Sequence, residues 1–138
     1  MRLLNAHGVR HLVIGGYAVG FHGHPRATGD LDIFVGISEE NAGSLVKVFQ
    51  EFGFDVPELK KSLFLQPGKI VRIGRPPMRL EVLNEIAGVG FDDCYKRRVT
   101  TMVDHVEINF IGLDDLLVNK AAAGRPKDLA DVDSLRRR

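Results

Sequence analysis

The chain has 138 residues, 44% of them apolar and 27% charged, the balance of one ordinary globular domain rather than of a disordered chain. Nineteen Lys and Arg against eighteen Asp and Glu leave a net charge of +1, too even for a protein that holds nucleic acid by charge alone. The single cysteine, Cys94, excludes an internal disulfide and a cysteine-built zinc cage. No run approaches the roughly 18 apolar residues of a membrane span, and Met1-Arg-Leu-Leu-Asn5 is too short in its apolar part for a signal peptide. These features point to a cytoplasmic protein with one domain over 1–138.

In chain order, His11-Leu-Val-Ile-Gly15 reads as a short buried strand stopped by Gly15-Gly16, and Tyr17 to Phe21 as the opening of a helix. Gly23 to Gly29 is rich in turn residues. Asp30 to Val35 alternates, with Leu31, Ile33 and Val35 on one face and Asp30, Asp32 and Phe34 on the other. Ser38 caps a predicted helix reaching about Phe52, with Leu45, Val48, Phe49 and Phe52 as its apolar stripe. Strands are expected at Lys69–Ile73 and Met78–Leu83, joined through Gly74-Arg-Pro-Pro77. A short helix over Phe91–Lys96 precedes strands near Arg98–Met102 and His105–Phe110. Two helices end the chain, Leu113–Ala123 and Pro126 to about Leu135, with Pro126 suited to a first helical position. Strands interleaved with helices predict an α/β (α+β) fold with one central sheet.

Asp30-Leu31-Asp32 is the sharpest local feature. Residues two apart on a strand project to the same side, with Cα atoms roughly 6.5–7 Å apart. Two carboxylates so placed repel unless something positive lies between them, and magnesium, which takes hard oxygen ligands, suits the position. Alone, such a pair more often marks a solvent-facing strand. Gly15-Gly16 lies where a strand hands over to a helix, and free backbone N–H groups there favour a phosphate. Alone, a Gly-Gly pair more often marks a tight turn.

The combination is more specific. Gly15-Gly16, thirteen intervening residues, then Asp30-Leu31-Asp32-Ile33 resembles the signature of the DNA polymerase beta-like nucleotidyltransferase superfamily. Leu12 to Ile33, with Arg26 and Thr28 ahead of the paired acids, is similar to the small bacterial and archaeal members grouped with AbiEii-type toxins. Asp114 to Asp131, carrying Lys120, Arg125, Asp128 and Asp131, resembles that group's closing motif. The resemblance implies a nucleotidyltransferase fold: a central mixed sheet flanked by helices, with a helical C-terminus. It implies a third acid on a neighbouring strand, which Glu81 in Arg79-Leu-Glu-Val-Leu83 matches where the family more often has Asp; Glu85 is the rival, beyond the strand. It further implies that Asp30, Asp32 and Glu81 hold two Mg2+ ions, with Mn2+ as the alternative. Gly15, Gly16, Arg26, Thr28 and Lys120 would then bind an NTP, ATP foremost. Asp128 would orient the nucleotide or help deprotonate an acceptor hydroxyl.

Helical periodicity bears on the same ending. Leu113, Leu116, Leu117, Lys120 and Ala121 follow the i, i+3, i+4, i+7, i+8 pattern, so Lys120 is expected on the inward face. On the last helix Leu129, Val132 and Leu135 define an apolar side on which Asp128 also falls. Buried charges must be paired or used. His22 and His24 read as turn residues or ligand contacts, Cys94 as packing, and Lys96-Arg-Arg98 and Arg136-Arg-Arg138 as solvated faces. By resemblance, the acceptor is a tRNA 3′ end, a hydroxyl of a partner protein, or a small molecule such as an aminoglycoside. The first two suit a toxin–antitoxin system with a cognate partner or an oligomer. The competing expectations are a catalytically inactive module of the same fold, acting as antitoxin or nucleotide sensor, and an RNA-binding structural protein.

Overall fold

A computed structural model describes residues 1–23, 29–75 and 78–137. In chain order they form α1 (Arg2–Ala6), β1 (His11–Ile14), α2 (Gly15–Phe21), β2 (Asp30–Val35), α3 (Glu39–Glu51), α4 (Ser62–Leu65), β3 (Ile70–Arg75), β4 (Met78–Leu83), α5 (Phe91–Lys96), β5 (Val99–Val103), β6 (Val106–Phe110), α6 (Leu113–Ala123) and α7 (Pro126–Arg136). The strands make one six-stranded mixed sheet in the order β3-β4-β2-β1-β6-β5. β1 and β2 are antiparallel, as are β3 and β4 and β5 and β6, while β2–β4 and β1–β6 are parallel. This is the α/β fold with one central sheet that the sequence pattern predicts, with the mixed strand directions, flanking helices and helical end that the resemblance implies.

The two central strands carry the core. All four residues of β1 are buried, so both of its faces are covered. β2 departs from the clean alternation expected of it. Its first half is partly exposed, but Ile33, Phe34 and Val35 are all buried. Phe34 faces the same way as the aspartates and is nonetheless core, packed edge to face on Phe91 of α5. The Phe91 ring also lies against Gly36, where a Cβ would be 2.9 Å from it.

Polar side chains hold the loops to this core. Ser38 caps α3 by accepting from the Asn41 N–H at 3.0 Å. Buried Asn41 accepts from the Arg10 N–H at 2.8 Å and donates to the Gly36 carbonyl at 2.9 Å, tying the entry of β1 to the exit of β2. Asn84 donates to the Phe64 and Gln66 carbonyls and so fixes α4, a single turn too short to leave a periodic trace in the sequence. At the other end, α6 stops at Gly124, whose φ of 69° suits a residue without a Cβ, and Pro126 starts α7. Arg97 grips Asp115, in the first turn of α6, with two hydrogen bonds of 2.9 Å. Among the described residues no helix is long and apolar enough to cross a membrane.

Candidate active site

Sheet register brings the acids together. In the parallel β2–β4 pair, Asp30 stands beside Arg79 and Asp32 beside Glu81; in the β3–β4 pair, Glu81 stands beside Arg72. Neighbouring strands run about 4.8 Å apart and paired residues point to the same face. Asp30, Asp32, Arg72, Arg79 and Glu81 therefore share one patch of the sheet. Two of the three acids are held by arginines. Arg72 Nε donates to Glu81 at 2.9 Å, and Arg79 donates to Asp30 at 2.9 Å while lying 3.7 Å from Glu81.

Asp32 is different. It has no ion-pair partner among the described residues, and its Oδ1 is buried without a hydrogen bond. Burial, then the negative charge of Glu81 and a hydrogen bond with it, then the charge of Asp30, push its carboxyl up to about 6; Lys120 pulls weakly the other way.

The turn from β1 into α2 closes the patch. Ile14 pairs with Asp32 across the antiparallel β1–β2 ladder, so the next residue, Gly15, meets the aspartate side chain. A Cβ on Gly15 would collide with Asp32 Oδ2 and come within 3.2 Å of its Cγ. Gly15 also has a φ of 68° and is the first residue of α2, which begins two residues before the expected Tyr17. Two independent constraints thus demand glycine. Gly15→Ala is expected to cost about 1–3 kcal/mol of stability through backbone strain. By displacing Asp32 it should also lower turnover by about 10²-fold. Thermal melting and a rate measurement on the same preparation check both effects.

The C-terminal helices supply the opposing charge. Lys120 is only 6% exposed and lies 3.4 Å from Asp128 and 3.0 Å from Asp131. Asp128, 1% exposed, also accepts from Arg125 Nε at 2.6 Å and from its terminal nitrogen at 3.2 Å. Burial alone would raise Asp128, but the Arg125 hydrogen bond and the Lys120 charge together bring it below the ordinary carboxylate range. A carboxylate held by two cations is a weak proton acceptor. Both cations reach the acid patch: the charges of Lys120 and of Arg125 are felt at Asp32. On α7, Val132 and Leu135 are buried as expected, but Leu129 is 51% exposed, because the inward side of that turn is taken by Asp128 and Asp131.

Of the remaining candidates, Gly16 is buried in the first turn of α2. Arg26, Thr28 and His24 lie outside the described residues. His22 is a buried tether, its Nε2 2.7 Å from the Ile111 carbonyl. Cys94 is buried in α5, where burial first, then the charge of Asp115, push its thiol up to about 11. Motif spacing missed Arg72 and Arg79. The signal for Arg79 was present, since a residue two before Glu81 on one strand must share its face.

The donor chemistry suits a hard divalent cation: carboxylate oxygens, an orphaned buried Oδ1 on Asp32, and a proton held against mutual repulsion where a cation could stand. Among the described residues no three His, Cys, Asp or Glu side chains are gathered as a finished cage. The two arginines take up part of that coordination capacity.

A strand-to-helix glycine turn set against paired acids on a mixed sheet defines a nucleotidyltransferase-like protein. The chain belongs to a nucleotidyl transferase family of unknown function, DUF2204, whose profile matches residues 1–138; it is an enzyme of the nucleotidyltransferase class. Its fold is similar to a crystal structure of a candidate nucleotidyltransferase from Thermotoga maritima. That likeness has a TM-score of 0.60 and 18% identity, covering 99% of this chain and 85% of the other. No curated protein matches the chain.

Proposed function

We propose that this enzyme transfers a nucleoside monophosphate from an NTP to an acceptor hydroxyl, with Asp30, Asp32 and Glu81 as the residues that would hold divalent metal, Mg2+ first. The observation that carries the reading is the register of Asp32 beside Glu81, with Gly15 under the Asp32 carboxylate and Lys120 within its field. In the net reaction the acceptor oxygen bonds the α-phosphorus, the α–β bridging bond breaks, and pyrophosphate and a proton are released. Bound magnesium supplies Lewis acidity toward the acceptor hydroxyl and neutralises triphosphate charge. Lys120 and Arg125 hold positive charge beside the patch, where an NTP would bring four negative charges. Gly15 and Gly16 allow close backbone approach. Asp128 and Asp131 hold the Lys120 ammonium in place.

The acceptor is proposed to be a tRNA 3′ end or a protein hydroxyl, within a toxin–antitoxin pair in the cytoplasm. This rests on the resemblance of Leu12–Ile33 and Asp114–Asp131 to that group. Incubation with α-labelled NTPs, Mg2+ and either total tRNA or cell protein tests it. Label transferred to one acceptor class, with pyrophosphate released and Asp32→Asn inert, is expected. Magnesium-dependent NTP binding without transfer to any acceptor would favour the nucleotide-sensing module instead.

A further inference from the structure

Arg79 is placed unlike a surface arginine. It shares the face of the acids, its side chain is only 33% exposed, and one terminal nitrogen lies 2.9 Å from Asp30 and 3.7 Å from Glu81. It thus stands between two carboxylates on neighbouring strands, where a cation would sit to serve both. Its Nε is buried with no hydrogen-bond partner. A buried, unmet guanidinium donor is costly and signals an arrangement that a ligand completes. Arg72 is a weaker version of the same device, 56% exposed and, among the described residues, bonded to Glu81 alone.

We propose that Arg79 is an exchangeable counter-cation: in the free protein it occupies the Asp30 and Glu81 carboxylates, and it yields them to a divalent ion to bind the polyphosphate of the incoming nucleotide through its planar fork. The proposal rests on the assignment of Asp30, Asp32 and Glu81 as metal-holding residues. The physical content is competition. A guanidinium and a divalent cation cannot both have the same carboxylate oxygens, so the arginine weakens metal binding in the absence of nucleotide. Once displaced, its rigid donor pairs match phosphate oxygens better than an ammonium can. Metal and nucleotide then bind cooperatively, because each makes room for the other.

Removing Arg79 therefore has effects of opposite sign on the two ligands. Mn2+ binding alone, read by the loss of the free-ion electron paramagnetic resonance signal, should tighten about three- to tenfold in Arg79→Met, the weight of one competing positive charge removed from the site. Binding of a non-hydrolysable ATP analogue with Mg2+ should weaken about tenfold in the same variant, from loss of a charge-assisted bidentate contact. Arg79→Lys keeps the charge, so its Mn2+ affinity should stay near wild type while analogue binding still weakens; this variant also controls for folding, which melting curves verify. Arg72→Met should tighten Mn2+ less than Arg79→Met. If wild type binds Mn2+ and Arg79→Met binds it equally or more weakly, the exchange is wrong although the metal site stands. If wild type binds no Mn2+ with or without the analogue, the metal assignment fails, and the exchange with it.

Discussion

An Asp32→Asn chain is expected to lose nucleotidyl transfer by on the order of 10³-fold and yet to melt above wild type near pH 8. The first effect follows from the proposed role: the amide removes a charge from the acid patch. The second follows from linkage. Asp32 titrates at about 6 in the folded chain against an ordinary 3.8, so between those values the folded state holds a proton that the unfolded state has lost. Stability from this group is therefore greatest below about pH 4, falls as pH rises through 4 to 6, and stays reduced above. Asparagine carries no charge to repel Glu81 and can donate to it as the protonated acid does. The gain in melting temperature should shrink as pH falls toward 4. A variant less stable than wild type at pH 8 would mean that the Asp32 charge is compensated in the folded chain. Saturating Mg2+ should narrow the same gap by stabilising wild type alone.

The second large effect is on the fold. Lys120→Ala is expected to cost about 3–5 kcal/mol, the range for removing one member of a buried ion cluster. That is a large part of the roughly 5–15 kcal/mol that holds a domain together. The reason lies in what remains. Asp128 would keep Arg125, but Asp131 would lose its 3.0 Å ammonium partner while 4% exposed. The loss should be partly recovered in Lys120→Met combined with Asp131→Asn, which keeps the packing and removes the Asp131 charge that Lys120 faces. Chemical denaturation of the single and double variants measures both. A double variant no more stable than Lys120→Met alone would show that the Asp131 charge carries none of the loss.

Elements whose periodicity is local were legible in the sequence. The inward placement of Lys120 follows from its spacing to Leu113, Leu116 and Leu117, and the buried Asp128 from its place between Val132 and Leu135. The Asp30–Asp32 strand shows as alternation. What was not legible depends on partners distant in sequence. That Phe34 is core although it shares a face with the aspartates is decided by Phe91, fifty-seven residues later. That Leu129 is exposed is decided by how α7 sits on α6, where two acids rather than a leucine meet Lys120. The acid patch was half legible: the family resemblance pointed to Glu81, but only the parallel β2–β4 register sets it beside Asp32. The arginines escaped because the motif names the acids alone, and only the β2–β4 and β3–β4 registers set Arg79 and Arg72 beside them.

The central claim is that the acid patch is where metal and nucleotide meet. Calorimetric titration of each of the four NTPs into wild type and Asp32→Asn, with and without Mg2+, tests it without knowledge of the acceptor. Binding of at least one NTP that requires magnesium in wild type and is weakened in Asp32→Asn is the predicted result. Binding that is indifferent both to magnesium and to Asp32, or no binding of any NTP, would contradict it.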